Sequence, residues 1–275
     1  MTNYFKTDMS LKDDEYLGED GLIYCKNCNT RRSFKSPDGM FHTRCRCKCQ
    51  EEAERYKNIK IQKAMHFEKA KELRHLSLLG KRYENSSFKN LDMNRPESFV
   101  KAVQRCKAFA DNWNIVSKQG YGMYIFGDVG TGKTELTACI ANRLINNLVP
   151  VVLTNFLEVS KELRDSYNRD EGETENAIIS KLAKVDLLII DDIGSEKLIK
   201  NNNKQSFMQE KIYDIINRRY INNMPTLFTS NYSIQDLINE RGLDVKTADR
   251  IAEMSNRVIK LDGTSYREVM VRRKK

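Results

Sequence analysis

The chain contains 275 residues, of which 40% are hydrophobic and 31% charged, and its formal net charge is +9 at pH 7. This length fits an α/β domain with a smaller module, and the hydrophobic content excludes a wholly disordered protein. No apolar run approaches the ~18 residues of a membrane span. No basic stretch followed by an apolar run begins the chain, so we expect a cytoplasmic protein without signal peptide or membrane contact. The positive charge is compatible with a polyanionic partner and equally with a solvated basic tail at residues 272–275.

Residues 1–50 are predicted to form an N-terminal cysteine-rich module. The first 20 residues are acidic and polar without periodicity, so we expect them to lack regular structure. Short β-prone pieces follow on either side of a turn at residues 36–39. Five cysteines form two groups separated by 16 residues. The groups are Cys25 with Cys28, and Cys45 with Cys47 and Cys49.

This cysteine spacing is typical of a compact Zn²⁺ site. Zinc takes four thiolates in a tetrahedral arrangement, so one of Cys45, Cys47 and Cys49 would stay outside the site, or His42 would replace a thiolate. The sequence leaves this choice open. The metal would have a structural role, because ~30 residues provide too little hydrophobic core for an independent fold. The alternatives are free thiols or a redox motif, and the latter needs a thioredoxin-like βαβ context that is missing.

Residues 51–98 are predicted to form a long helix and a linker. Residues 51–79 lack proline and glycine, and apolar side chains recur at intervals of three, which indicates one helical face. The residues of this face are Ala64, Phe67, Ala70, Leu73 and Leu76. Gly80 is expected to end the helix. Residues 81–98 are expected to link it to the next domain, with a break at residues 93–96.

From residue 99 to residue 275, the pattern alternates between helix and strand. Helices are predicted at residues 99–113, 133–147, 156–167, 175–184, 205–220 and 248–254. Strands are predicted at residues 121–126, 149–153, 186–190, 226–229 and 258–261. Such alternation predicts an α/β fold in which a parallel five-stranded sheet lies between layers of helices.

A glycine-rich loop between the first of these strands and the following helix matches the phosphate-binding pattern G-x-x-x-x-G-K-[ST]. The loop consists of Gly127, Asp128, Val129, Gly130, Thr131, Gly132, Lys133 and Thr134. Its glycines allow backbone N–H groups to point at phosphate oxygens, and the helix adds the positive end of its dipole. Lys133 is predicted to bridge the β- and γ-phosphates of ATP, and the Thr134 hydroxyl to bind Mg²⁺. A glycine-rich turn without a ligand is the alternative interpretation.

Two further strand ends are expected beside this loop. The apolar strand at residues 186–190 is followed by Asp191, predicted to hold Mg²⁺, and by Asp192, predicted to orient or deprotonate the attacking water. The strand at residues 226–229 leads to Asn231. This side chain would point at the γ-phosphate if its strand lies between the other two. A turn-forming role is the alternative for Asn231.

The loop, the strand ending in two aspartates, the strand ending at Asn231 and a pair of C-terminal arginines together resemble the AAA+ ATPase family. The match is closer to the bacterial and phage replicative helicase loaders of the DnaC/DnaI type, and it covers about residues 83–270. The loop itself is generic to phosphate-binding proteins. The discriminating segments are residues 217–220, 249–254 and 263–267.

The resemblance implies that Asn231 is the first sensor residue and that Arg250 is an arginine finger acting on the nucleotide of a neighbouring subunit. It implies that Arg267 is the second sensor, acting in its own subunit. An arginine supplied by a neighbour would couple hydrolysis to self-association through the ATP site. A surface ion pair is the alternative for either arginine. Asp192 stands where most AAA+ proteins have glutamate, which implies slow, switch-like hydrolysis.

The function implied by the resemblance is an ATPase that delivers a hexameric replicative DNA helicase onto single-stranded DNA during replication initiation, with ATP, Mg²⁺ and Zn²⁺ as cofactors. The cysteine module and the helix at residues 51–79 are expected to hold the helicase. Lys197, Lys200 and Lys204 are candidates for DNA contacts. One alternative is the ATPase helper of a transposase, in which we would not expect the cysteine module. Another is a small-molecule kinase, which would need an acceptor pocket and a mobile lid.

Overall fold

The computed structural model describes residues 10–37, 42–72, 77, 83–167, 174–195, 203–263 and 265–266. The chain divides into two compact units, Met1–Met65 and His66–Lys275. The boundary lies within one long helix, α1 (Lys48–Glu72). The sequence prediction placed the end of the cysteine module at residue 50, so the first compact unit contains this module together with the first part of α1.

The first unit contains two short antiparallel hairpins ahead of α1. Strand β1 (Glu15–Leu17) pairs with β2 (Ile23–Cys25). Strand β3 (Ser33–Lys35) pairs with β4 (His42–Arg44). The expectation that residues 1–20 lack regular structure is therefore wrong for the residues of β1.

Cross-strand neighbours stabilise β1. Tyr16 stacks on Tyr24, its partner in β2, with 5.6 Å between the ring centroids. Glu15 is 4% exposed and pairs with two arginines. These partners lie outside the segment itself, so a local reading of residues 1–20 does not reveal them.

Helix α1 begins slightly before the predicted start at residue 51. On the predicted apolar face, Ala64 is exposed. The other positions of that face, and the predicted end of the helix, lie outside the residues whose side chains are described: Phe67, Ala70, Leu73, Leu76 and Gly80. Charged residues occur along α1, and within the described part of the chain no helix combines the length and apolar character of a membrane span.

The second unit is built on a five-stranded parallel sheet, which confirms the predicted α/β fold class. The strands are β5 (Met123–Gly127), β6 (Val151–Asn155), β7 (Leu187–Ile193), β8 (Thr226–Ser230) and β9 (Arg257–Leu261). Their spatial order is β6-β7-β8-β5-β9. The described helices of this unit are α2 (Glu97–Asp111), α3 (Trp113–Gln119), α4 (Lys133–Asn146), α5 (Phe156–Tyr167), α6 (Glu175–Lys184), α7 (Asn203–Ile221), α8 (Ile234–Asn239) and α9 (Val245–Met254).

Each face of the sheet is covered by its own apolar cluster. The side chains of β7 alternate between the two clusters: Leu187 and Ile189 belong to one, and Leu188 and Ile190 belong to the other. All four are buried. Because both faces of a parallel sheet are covered by helices, β7 reads in the sequence as a continuous apolar run.

Two short helices, α3 and α8, were not predicted. Helix α8 begins with a capping box, in which Ser233 accepts from the Asp236 backbone N–H and Asp236 accepts from the Ser233 backbone N–H. A serine followed three residues later by an acid was the available signal. Helix α3 follows α2 through Asn112 and ends at Gly120, whose φ is 65°.

Residues 83–96, which lie within the predicted linker, belong to the second unit and pack against its helix α4. Leu91 is buried. Asn142 of α4 donates to the backbone carbonyl oxygens of Tyr83 at 2.7 Å and Ser86 at 2.9 Å. These contacts fix the segment against α4, the helix that begins at the glycine-rich loop.

Candidate functional site

The glycine-rich loop lies between β5 and α4, at the carboxyl edge of the parallel sheet. Gly130 (φ 81°) and Gly132 (φ 102°) adopt left-handed conformations that other residues rarely take. The Thr131 hydroxyl donates to the Asp128 carbonyl oxygen at 2.8 Å, and Val129 is 64% exposed. A curled backbone of this kind, followed by a helix N-terminus, is suited to an anionic ligand.

Lys133 is the first residue of α4, and it is 7% exposed. Its Nζ donates to the carbonyl oxygens of Gly127 at 2.7 Å and Asp128 at 2.9 Å, and to Oδ1 of Asn231 at 2.8 Å. The ammonium group therefore lies where the loop meets the end of β8. Phosphate oxygens are acceptors of the same kind and carry negative charge, so this environment suits a phosphate contact.

Two hydroxyl groups surround the carboxylate of Asp191. Thr134 donates to its Oδ2 at 2.9 Å and lies 3.2 Å from its Oδ1, and Thr229 donates to Oδ1 at 2.6 Å. Burial raises the pKa of Asp191, while these two hydroxyl donors oppose that rise. Carboxylate and hydroxyl oxygens are the hard ligands that Mg²⁺ prefers, so Thr134 and Asp191 fit a magnesium ion.

Asp192 lies at an irregularity of β7, where the pairing with β8 shifts between Ile190 and Ile193. Its φ is 57°, a left-handed value for a residue with a side chain. Its backbone N–H donates to the Thr229 hydroxyl at 2.8 Å, and its Oδ1 accepts from Asn231 Nδ2 at 3.1 Å. Thr229 thus contacts both aspartates, a role that the sequence analysis missed. The polar residues that follow the apolar pair Leu227 and Phe228 in β8 were the available signal.

The strand order satisfies the condition on which the expectation for Asn231 depended, because β8 lies between β5 and β7. The Asn231 amide contacts Lys133 through Oδ1 and Asp192 through Nδ2. A turn-forming role alone does not account for this bridge. We call the hydrogen-bonded group of Lys133, Thr134, Asp191, Asp192 and Asn231 the strand-end cluster.

Arg250 lies on α9, and its described side-chain contacts are to residues outside the strand-end cluster. Its Nη1 is 3.3 Å from Glu253 Oε2, and its guanidinium carbon lies 4.0 Å from the centroid of the Tyr220 ring. Within one chain this is a surface ion pair stacked on an aromatic ring. Arg267, Lys197 and Lys200 lie outside the described residues. Lys204 lies in α7, and its side chain is likewise outside the described part.

Four cysteines of the first unit converge. The Sγ atoms of Cys25, Cys28, Cys47 and Cys49, which we call the thiol cluster, all lie within 4.8 Å of one another. A tetrahedral zinc–thiolate site has sulfur atoms about 3.8 Å apart, and the Cys25–Cys49 separation is 3.6 Å. Cys45 is outside this group, and its Sγ contacts a backbone carbonyl oxygen at 3.5 Å. The thiol cluster therefore fits a zinc ion without a histidine ligand.

A buried arginine supports the thiol cluster. The Arg32 side chain is 4% exposed, its Nε donates to Cys47 Sγ at 3.2 Å, and its Nη1 pairs with Asp14 at 2.7 Å and Glu15 at 3.2 Å. Arg44 also pairs with Glu15, at 2.6 Å. Burial alone would raise the pKa of Glu15, but the hydrogen bonds from the two arginines lower it to about 2. A cation that donates to a thiolate offsets part of the charge of the cluster.

A second buried arginine positions β8. Arg219 is fully buried, and its Nη1 donates to the carbonyl oxygens of Leu182 at 2.9 Å and Val185 at 2.8 Å. Its Nη2 donates to the Pro225 carbonyl oxygen at 2.6 Å, and its Nε to the Thr226 hydroxyl at 2.9 Å. These acceptors lie at the end of α6 and the start of β8. Arg219 therefore fixes the strand that carries Asn231.

Known proteins resemble this chain over more than half of its length. A family model described as IstB-like ATP binding protein matches residues 115–274, more than half of the chain. The replicative helicase loader DnaC of Buchnera aphidicola subsp. Baizongia pistaciae is 28% identical over 172 residues, which are 62% of this chain and 63% of that protein. The replicative helicase loader DnaI of Bacillus subtilis is 26% identical over 194 residues, which are 66% of this chain and 58% of that protein. The chain thus spans less than two thirds of the length of these relatives.

Solved structures share the fold over about two thirds of this chain. A crystal structure of DnaI has a TM-score of 0.54 and 24% identity, and covers 69% of this chain and 94% of that chain. A crystal structure of the DnaC helicase loader has a TM-score of 0.56 and 22% identity, and covers 66% of this chain and 100% of that chain. At these identities the likeness concerns the fold alone, and it confirms the predicted α/β core with its parallel five-stranded sheet.

Proposed function

Because the chain belongs to the family of IstB-like ATP binding proteins, we propose that it is an ATPase that delivers a hexameric replicative DNA helicase onto single-stranded DNA. The observation that carries the ATPase part is the strand-end cluster, which joins the loop to β7 and β8 through direct hydrogen bonds. A glycine-rich loop that only bound phosphate would not require these contacts with β7 and β8. The loader part is supported by similarity to proteins named replicative helicase loaders.

In the proposed nucleotide site, the loop backbone holds the phosphates, and Lys133 neutralises charge on the β- and γ-phosphates. Bound Mg²⁺, held by Thr134 and Asp191, would neutralise further phosphate charge. Asp192 orients or deprotonates the attacking water, and Asn231 holds the Asp192 carboxylate in place. The same amide contacts Lys133, so Asn231 links the phosphate-binding group to the group that positions the water.

The proposed function also implies roles for the thiol cluster, for three lysines and for two arginines. Zn²⁺ held by the thiol cluster would stabilise the first unit, which grips the helicase. Lys197, Lys200 and Lys204 contact single-stranded DNA. Arg250 and Arg267 act at the ATP site, Arg267 in its own subunit and Arg250 in a neighbour after self-association.

Capture of a replicative helicase tests this proposal. The full chain with ATP and Mg²⁺ is expected to retain a purified hexameric replicative helicase and to transfer it to single-stranded DNA. Lys133→Ala is expected to weaken ATP binding at least ~100-fold, because the buried ammonium and its phosphate contacts are lost. Lys118→Ala, at an exposed position of α3, is the matched control and should leave ATP binding unchanged.

Each outcome separates the candidate functions. Tight ATP binding by Lys133→Ala would rule out the nucleotide site as described. Capture of a transposase in place of a helicase would identify a transposase helper. ATP turnover that requires a small-molecule acceptor, and ignores single-stranded DNA, would identify a kinase.

Arg250 has its own test. Arg250→Ala is expected to bind ATP normally and to lose at least ~10-fold in assembly-dependent hydrolysis, because a trans-acting arginine stabilises charge on the γ-phosphate. Mixing it with Lys133→Ala should restore part of the activity, since one variant supplies the nucleotide site and the other the arginine. Unchanged hydrolysis in Arg250→Ala would leave this side chain only its pairing with Glu253 and Tyr220.

A further inference from the structure

The loop between α8 and α9 carries an arginine that holds the backbone directly after Asp192. Arg241 Nε donates to the carbonyl oxygen of Gly194 at 2.6 Å, and its Nη2 donates to that of Ser195 at 2.7 Å. Strand β7 ends at Ile193, so its ladder with β8 does not reach these two oxygens. The planar guanidinium presents its donors as a fork, and here the fork binds two successive carbonyl oxygens.

The backbone that this arginine holds has an unusual conformation. Asp192 (φ 57°) and Gly194 (φ 84°) both adopt left-handed values, on either side of Ile193. For Asp192, which has a side chain, this conformation costs free energy and persists only where the surroundings hold it. The Ser230 hydroxyl donates to the Ile193 carbonyl oxygen at 2.6 Å, and the Ser195 backbone N–H donates to that of Asp192 at 3.3 Å. These contacts and the arginine together hold the turn from which the Asp192 carboxylate projects.

The segment that carries Arg241 is itself anchored to its neighbours. Leu243 is 3% exposed, and its backbone N–H donates to the Leu237 carbonyl oxygen at 3.0 Å. The side-chain amide of Gln209, in α7, donates to the Gly242 carbonyl oxygen at 2.8 Å. Because the two residues that follow it are fixed in this way, the arginine presents its donors from a defined position.

Arg241 also connects this backbone to the end of β8. Its guanidinium carbon lies 4.9 Å from the centroid of the Tyr232 ring, within the range of a cation–π contact. Tyr232 directly follows Asn231, and its carbonyl oxygen accepts from the Tyr124 hydroxyl at 2.7 Å. Asn231 in turn donates to the Asp192 carboxylate at 3.1 Å. The arginine therefore links the two chain segments that carry Asp192 and Asn231.

We propose that Arg241 is a positioning residue for ATP hydrolysis, which holds Asp192 where its carboxylate can orient or deprotonate the attacking water. This inference rests on the proposed function, in which Asp192 has that role. A displacement of about 1 Å in such a group can lower the rate as much as ~100-fold. The proposed phosphate contacts are instead the loop backbone, Lys133 and Thr134. Arg241 is therefore expected to affect turnover and to leave ATP affinity unchanged.

Hydrolysis and binding of ATP, measured separately on the full chain, test this assignment. Arg241→Met keeps an unbranched stem and removes the donors. It is expected to lower the single-turnover rate constant, with Mg²⁺ and an excess of protein over ATP, about tenfold, and to keep the dissociation constant of ATP within about twofold. Arg105→Met, at an exposed position of α2, is the control and should change neither quantity. Unchanged hydrolysis in Arg241→Met, or an equal loss of ATP affinity, would overturn the assignment.

A second variant shows whether the arginine acts through Asp192. Asp192→Asn removes the group that orients or deprotonates the water, so it should lower the rate constant about 100-fold. If Arg241 only positions this carboxylate, adding Arg241→Met to Asp192→Asn should lower the rate constant by less than about twofold more, because the effects of residues that act as a unit do not add. A further tenfold loss in the double variant would contradict the positioning role, since a general disturbance of the fold would reduce both backgrounds about equally.

Arg241→Lys covers the case in which Arg241→Met does not fold. It keeps the charge but has a single nitrogen, so a loss of about threefold is expected, again without effect in the Asp192→Asn background. An equal loss in both backgrounds would overturn the assignment. Failure of the proposed function looks different: the unaltered chain would not hydrolyse ATP, or Asp192→Asn would hydrolyse it at the unaltered rate. Either result would remove the role of Asp192 on which the positioning by Arg241 rests.

Discussion

The two compact units are stabilised by different means. The second unit has a parallel sheet with an apolar cluster on each face. The described residues of the first unit bury few apolar side chains, chiefly Leu22 and Ile23, and bury charged ones beside them. Glu15 and Arg32 are each almost fully buried there. One unit is therefore held by packing, and the other by charge pairing and by thiols that converge on one point.

This difference follows from size. A unit of about 65 residues encloses little volume, so hydrophobic burial leaves only a few kcal/mol of stability. A buried ion pair is a weak substitute, because the cost of removing charges from water offsets most of their attraction. A zinc ion bound by four thiolates would supply the missing stability, since its binding free energy would become folding free energy. This comparison of the two units predicts that the first depends on a metal held by the thiol cluster and that the second does not.

Metal removal is expected to have the largest effect. About one zinc per chain should be present, and its removal by a chelator should unfold the first unit, because ~10 kcal/mol or more of binding free energy is lost. Hydrogen exchange over residues 10–65 measures this unit. Trp113, the one tryptophan of the chain, lies in α3 of the second unit, so its fluorescence should stay unchanged.

The cysteines provide a matched pair for the same experiment. Cys49→Ser should lose the metal, because it removes a sulfur of the thiol cluster. Cys45→Ser should retain it, because Cys45 lies outside the cluster. Equal zinc content in Cys49→Ser and Cys45→Ser would contradict the choice of Cys49 as a ligand. Full hydrogen-exchange protection of the first unit without metal would contradict the predicted difference between the two units.

A smaller effect is expected from the buried arginine of the second unit. Arg219→Met removes donors to four carbonyl oxygens and a hydroxyl, and should lower the free energy of unfolding by about 4 kcal/mol. Arg218→Met, at the next position, removes only a partly exposed pair with Asp214 and should cost at most ~0.5 kcal/mol. Urea denaturation followed by Trp113 fluorescence measures both. Equal losses of unfolding free energy would mean that the buried Arg219 side chain contributes no more stability than the partly exposed Arg218.

Most of the second unit could be predicted because its signals are local. The predicted helices at residues 156–167 and 175–184 coincide with α5 and α6. The residues of the glycine-rich loop are contiguous, and the aspartates follow directly on an apolar strand. Arg219 carried a partial signal, since it follows Ile215 and Ile216 at helical spacing and so shares their buried face.

The rest could not be predicted because its partners are distant in sequence. Glu15 meets Arg32 and Arg44 only after both hairpins form. Whether Cys45 joins the metal site depends on where its side chain points, which composition does not encode. Arg95 is similar: its segment reads as a break before a helix, and its place beside Gly132 results from packing of residues 83–96 on α4.

The smallest predicted effect concerns the contribution of charge pairing to the stability of the first unit when zinc is bound. Glu15→Gln leaves two arginines against a neutral side chain, and should lower the stability of this unit by about 3 kcal/mol. Asp14→Asn is the control, because Asp14 is 46% exposed and, among the described residues, its ion pair is with Arg32, so its loss should cost below ~1 kcal/mol. Hydrogen exchange over residues 10–65 in zinc-saturated protein measures both.

The pKa of Glu15 predicts how its contribution to the stability of the first unit depends on pH. Its folded value of about 2 lies below the unfolded value of ~4.3, so its contribution is present above pH ~4.3 and is lost as the pH falls towards 2. Acid would also protonate the thiolates of the thiol cluster, so stability measured at low pH would combine the two effects. Comparing the two variants at neutral pH measures the contribution of the Glu15 carboxylate by itself. If Glu15→Gln matches Asp14→Asn, the buried charges add little, and the first unit is held by its metal alone.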